Sequence, residues 1–208
     1  MCLYAIIPKV IFMEGNFIEL VMGDTNIVAL QLLNIINDYD FDTVVYISKS
    51  GYLIGNALAE ISNCKALEIK SKRPNIKVKN KYLPNIVNKL PKNLIHFLKV
   101  YERKNSHYDI SDERILYYDE DEYKKIKPKK ILIFDDSIDT GYTLECVINK
   151  IKELYDGVQI KVAVLNYFTD RKNIQPDYYL YNNSVISAPW TIDSKEYKNF
   201  IKMYENRK

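Results

Sequence analysis

Cysteine, glycine, histidine and tryptophan are all scarce in this chain of 208 residues, at three, six, two and one. Cys2, Cys64 and Cys146 are odd in number and scattered, which excludes a disulfide framework and suits a reducing compartment. His96 and His107 stand apart from each other and from any cysteine, which argues against zinc. There is no internal repeat and no low-complexity linker. No segment reaches the roughly 20 uninterrupted apolar residues that a bilayer-spanning helix needs. The N-terminal run MCLYAIIPKVIFMEGN has no basic stretch before it and is broken by Pro8-Lys9. It reads as strand rather than signal peptide, so a cytoplasmic protein is expected.

What is present is globular. Apolar residues make up 47% and charged residues 27%, proportions that exclude wholesale disorder and fibrous classes. The length suits one domain with a substantial core. A formal charge of +3 hides an uneven distribution. Residues 65–104 hold twelve Lys/Arg against Glu68 and Glu102, a net +10, which leaves −7 for the rest. Such a basic island meets a polyanion or stays a solvated insertion. Residues 109–122 then carry seven acids around the single cation Arg114.

Along the chain, LYAII and FIELVM are β-rich runs separated by Glu14-Gly15-Asn16. IVALQLLNII has helical spacing, with Asp24 or Thr25 as N-cap. VVYI is a short buried strand, SKSG a loop, LIGNALAEI a helix and ALEIK a strand. Residues 71–128 lack a clean period and contain Pro74, Pro84, Pro91 and Pro128; one helix is expected after Pro91. Order resumes with the strand KKILIFDD, the loop SIDTGYT, the helix LECVINKIKELY and the strand IKVAVLNYF. PDYYLY and SVISAPW are short β-like runs. This alternation predicts one α/β domain with a mainly parallel sheet flanked by helices. Ligands in such sheets bind beyond the carboxyl ends of the strands.

The stretch ILIFDDSIDTGYTL (131–144) carries most of the chemistry. Four apolar residues bury the strand, and Asp135 and Asp136 leave its end together. Adjacent carboxylates repel and cost desolvation free energy, so they imply hydroxyl or cationic partners. Asp139-Thr140-Gly141-Tyr142-Thr143 then turns into a helix. Its backbone N–H groups, with the Thr140 and Thr143 hydroxyls, form a ready anion cradle, and Gly141 permits close approach.

These residues resemble the phosphoribosyl pyrophosphate (PRPP) signature of type I phosphoribosyltransferases. The resemblance implies that Asp135 and Asp136 hold the ribose hydroxyls and that Asp139 to Thr143 wrap the 5-phosphate. Asp139 would also serve as general base. Ser48-Lys49-Ser50-Gly51 resembles the family's pyrophosphate loop, with Lys49 offering a cation to the leaving group. Ser71, Lys72 and Arg73 stand where the family's mobile loop begins and would also face pyrophosphate. PDYYLYNNSVISAPWT resembles the hood of 6-oxopurine phosphoribosyltransferases of the bacterial xanthine–guanine type.

Pro189-Trp190 match that hood, whereas Val185 replaces a stacking aromatic and Thr191 an acid. Phe168 stands near the place of a Lys that reads the purine oxygen. Phe168, Val185, Ile186 and Trp190 would therefore line the acceptor site. Implied too are Mg²⁺, held near Asp135 and Asp136 through PRPP and water, and a homodimer. The single domain spans 1–208, with 1–22 and 171–208 as hood and terminal elements and 71–128 as an enlarged loop. The expected activity is transfer of 5-phosphoribosyl to a 6-oxopurine-like base with release of pyrophosphate. A glycan or lipid-linked acceptor is the alternative that the basic insertion suggests. A PRPP-sensing regulator that binds nucleic acid through the island, with Tyr82, Tyr101 and Tyr108, is the non-catalytic one.

Overall fold

The five residues of Thr43–Ile47 are all buried, and so are Ile131, Leu132, Ile133 and Phe134. Strands buried on both faces need a layer of helices on each side, and the computed structural model has that arrangement. It describes residues 17–72, 114–168 and 174–207. Arg73, His96, His107, the helix expected after Pro91, residues 1–16 and most of the basic island lie outside the described residues.

The elements in chain order are β1 (Phe17–Glu19), α1 (Thr25–Ile35), β2 (Thr43–Ile47), α2 (Tyr52–Ile61) and β3 (Lys65–Lys72). After the undescribed stretch come β4 (Ile115–Tyr117), α3 (Glu120–Lys124), β5 (Lys130–Ile138) and α4 (Tyr142–Leu154). β6 (Gln159–Tyr167), β7 (Tyr178–Asn182), β8 (Val185–Ser187) and α5 (Tyr197–Asn206) complete the chain. The main sheet has the order β4-β3-β2-β5-β6-β7. All its pairings are parallel except the antiparallel edge strand β4. The α/β expectation holds.

Side-chain alternation along the strands builds two cores. Val44, Tyr46, Leu132, Phe134, Ala163 and Leu165 face one side and pack with α1, α2 and α5. Val45, Ile47, Ile131, Ile133, Val162 and Val164 face the other, with α4 and Tyr123 of α3. Tyr123 is fully buried, and its hydroxyl donates to the Glu68 carbonyl (3.2 Å). The aperiodic stretch of the sequence therefore runs into the sheet at both ends. Ser71 and Lys72 end β3 and pair with Leu116 and Ile115 of β4.

β1 and β8 form a separate parallel pair, with Phe17 opposite Val185. This small hood is tied to α5 through the Met22 N–H, which donates to Glu196 Oε2 (2.6 Å). In the main sheet the chain moves outward from β2 to β3 on one side and from β5 to β6 and β7 on the other. The order reverses between β2 and β5, which is where a ligand crevice opens in such sheets.

Two glycines are required by close approach around β2. A Cβ on Gly51 would stand 2.5 Å from the Ile47 carbonyl oxygen, and one on Gly55 would stand 2.5 Å from Tyr46 Cβ. Tyr46 Cβ is anchored to the backbone and cannot move aside as a side-chain tip would. Gly55→Ala gains about 1 kcal/mol of helix propensity and incurs an overpacking penalty of about 1–3 kcal/mol. We expect the penalty to win and the midpoint of thermal unfolding to fall. A raised midpoint would show that α2 slides off Tyr46 without loss.

Candidate active site

Three connections converge at the carboxyl end of β5, from the loop after β2, from the start of α4 and from the hood. The β2–α2 loop makes its turn by placing Lys49 at φ 62°, and all peptide bonds among the described residues are trans. Ser50 is thereby carried to the strand end, where its Oγ donates to Asp135 Oδ1 (3.4 Å). The Asp136 backbone N–H donates to the same oxygen (2.8 Å). Asp136 Oδ2 accepts from Trp190 Nε1 of the hood (3.0 Å). Burial drives both carboxyls above the ordinary carboxylate range. For Asp135 the charge of Asp136 adds to the rise, whereas the Trp190 N–H tempers it for Asp136.

On one side of this strand end lies a cavity of about 100 Å³ lined by Asp135, Ser137, Asp139, Thr140, Gly141 and Thr143, with Arg114 across from them. Gly141, at φ 82°, is the left-handed residue that precedes α4, a conformation glycine adopts without strain. Of the five residues expected to form an anion cradle, Asp139, Thr140, Gly141 and Thr143 line this cavity. Tyr142 begins the helix and does not line the cavity.

On the other side a cavity of about 210 Å³ is lined by Asp136, Ser137, Leu165, Phe168, Val185, Ile186 and Trp190, among others. All four residues expected to form the acceptor site are brought together here. Ser137 lines both cavities. Asp139 borders only the smaller one of the two.

The residues expected to face pyrophosphate are less gathered. Lys49 Nζ donates to the Tyr197 hydroxyl (3.2 Å) and sits 5.1 Å from the centre of that ring. Gly51 is the N-cap of α2, and Ser48 is joined to β3 through its N–H and the Ile69 carbonyl (2.9 Å). Lys72 Nζ lies over the Tyr117 ring (5.1 Å), and neither it nor Ser71 lines either cavity. Beside this loop, α5 is latched to the sheet. Arg207 pairs with both Glu68 oxygens (2.6 Å each) and stacks on Tyr204 and Tyr52, and the Tyr204 hydroxyl also donates to Glu68.

Several contributors carry little or no signal in the sequence. Arg114 belongs to the smaller cavity, and its only mark is that of a lone cation among seven acids. Asn166 is a polar residue inside an otherwise apolar strand. It is buried, its Nδ2 donates to the Ser184 carbonyl (2.8 Å), and its Oδ1 accepts from the Ser184 N–H (3.2 Å). That pair seats the β7–β8 turn against β6 and forms part of the larger cavity. Tyr197 and Arg207 have no local signal, because their partners are more than a hundred residues away.

The donor set at the strand end is two carboxylates and the hydroxyls of Ser50 and Ser137. Hard oxygen donors of this kind fit Mg²⁺. No group of three or more His, Cys, Asp or Glu forms a metal cage among the described residues.

No protein-family model matches the sequence, and no curated protein matches it. Solved structures do share its fold. A purine phosphoribosyltransferase from Pyrococcus horikoshii Ot3 is 20% identical, with a TM-score of 0.54 over 84% of this chain and 93% of that one. A Helicobacter pylori xanthine-guanine-hypoxanthine phosphoribosyltransferase is 15% identical, with a TM-score of 0.53 over 89% and 99%. A Neisseria gonorrhoeae protein with bound ppGpp is 16% identical, with a TM-score of 0.57 over 93% and 98%. The chain has the type I phosphoribosyltransferase fold.

The raised carboxyls make a stability prediction with a definite sign. A carboxyl whose folded pKa exceeds its unfolded value of about 3.9 destabilises the fold above that folded pKa and costs nothing below the unfolded one. Asp135→Asn keeps an oxygen for both of its donors and removes the partly buried charge. It should raise the unfolding midpoint at pH 7 by about 2–4 °C, and the gain should vanish on acidification toward pH 4. A midpoint that falls at pH 7 would mean that the charge itself is compensated.

Proposed function

We propose that this protein is a PRPP-dependent phosphoribosyltransferase that moves 5-phosphoribosyl to a purine-like base and releases pyrophosphate. The observation that carries the reading is the meeting of the two cavities at Ser137, on either side of an Asp135-Asp136 pair. One cavity has the makings of a phosphate cradle and the other is walled by apolar and aromatic side chains. A donor anchored in the first presents its ribose to the strand end, and an acceptor in the second meets it there.

In this reading Thr140, Gly141 and Thr143 hold the 5-phosphate with backbone N–H groups and hydroxyls, and Arg114 adds a cation. Asp135 and Asp136 accept hydrogen bonds from the ribose hydroxyls. Lys49, now resting on Tyr197, and the Ser48–Gly51 loop face the leaving pyrophosphate. Mg²⁺, carried near Asp135 and Asp136 by the donor's own oxygens and water, supplies charge neutralisation on the diphosphate. The C1–O bond to pyrophosphate breaks with its electron pair leaving on oxygen. An acceptor nitrogen forms the new bond to C1, and Asp139 takes the proton that nitrogen sheds. A base in this role contributes roughly 10²–10⁴-fold.

The apolar and aromatic lining of the larger cavity suits a purine-like acceptor, whereas the glycan and nucleic-acid readings rest mainly on basic residues outside those described. No helix among the described residues is long and apolar enough to cross a membrane. A cytoplasmic setting suits the free Cys64 and Cys146. A homodimer fits the exposure of Ile27 and Leu30 on α1.

The test is pyrophosphate release from PRPP with Mg²⁺ and hypoxanthine, guanine, xanthine or adenine in separate reactions. Release with at least one base is expected. Asp139→Asn should lower its turnover by about 10²–10⁴-fold while PRPP still binds. Binding of PRPP without release for any base would defeat the purine reading, and unchanged turnover in Asp139→Asn would defeat the base assignment.

A further inference from the structure

We propose that Trp190 is a positioning residue for the donor site, orienting the Asp136 carboxylate through its indole N–H while its ring walls the acceptor cavity. This rests on the PRPP reading above and assigns Trp190 a second role beyond lining the acceptor cavity.

An indole N–H only donates, and a buried one must find an acceptor. Trp190 is buried, and its N–H is directed at Asp136 Oδ2 (3.0 Å). Its ring cannot swing away, because it packs edge-on against Phe200 of α5, with centroids 6.4 Å apart at 64°. The turn that carries it is locked locally. Thr191 Oγ1 accepts from the Ala188 N–H and donates to the Ala188 carbonyl (2.9 Å each), and the Thr191 N–H donates to that carbonyl too (2.8 Å).

Asp136 needs such a guide. Its neighbour Asp135 is held by Ser50 and by the backbone, while Trp190 brings a side-chain bond to Asp136 from outside the strand. A carboxylate has about four lone-pair sites. Trp190 takes one on Oδ2 and so restrains the orientation in which the carboxylate meets a diol.

The test is a double-mutant cycle with Trp190→Phe and Asp136→Ala, read by PRPP titration and by separate KM values for PRPP and the base. Phe keeps the ring and its packing and loses only the donor. A hydrogen bond to a charged group predicts a PRPP affinity loss of about tenfold or more in Trp190→Phe. The KM for the base should stay within about threefold, because only the donor is lost and an aromatic ring still walls the acceptor cavity. In the Asp136→Ala background the same change should add less than about twofold, the mark of a shared interaction. Melting curves on each protein verify folding. PRPP affinity in Trp190→Phe equal to that of the wild type would overturn the positioning role alone. Equal losses in both backgrounds would also overturn it, since a purely structural effect is additive. Absence of PRPP binding by the wild type would overturn the function reading and this role with it.

Discussion

Two carboxylates side by side at the end of a buried strand are the constraint around which this molecule is arranged. Neither has a cation beside it on its own strand, and both are half-buried, so solvent shares their charge only in part. The answer comes from two distant segments and the strand's own backbone. The β2–α2 loop brings Ser50, the hood brings Trp190, and the backbone of Asp136 itself turns its N–H on Asp135. The reversal of strand order between β2 and β5 is what allows the first of these to arrive.

The same economy explains the neighbouring glycines. Gly51 lets the β2–α2 loop fold back on Ile47, and Gly55 lets α2 settle on Tyr46. Together they set the height at which Ser50 meets Asp135. Gly141 does the corresponding work for α4, whose first turn faces the smaller cavity.

How much of this can be read from the chain depends on the range of the interaction. The β5 loop is legible because acids, hydroxyls and glycine stand within nine residues of one another, and the strand–loop–helix change of period frames them. β2, α2 and β6 are legible from their apolar runs. The edge strand β4 and the short α3 are not, since three and five residues are too few to show a period. They are held by pairing with β3 and by Tyr123, both of which are tertiary facts. Arg114 is visible as a lone cation but without any sign of which anion it would face. Asn166 looks like a flaw in an apolar strand and is instead the clasp of the β7–β8 turn. The latch of Arg207 on Glu68 joins residues 139 apart and leaves no local trace.

Ser137 has a consequence of another kind. Because Ser137 borders both cavities, a change at this position would, in the proposed reading, reach the donor and the acceptor together. The far wall of the larger cavity comes from β8 and the turn after it, which belong to the hood and not to the main sheet. In the proposed reading a change in β8 would touch the acceptor alone, whereas a change at the end of β5 would touch both partners.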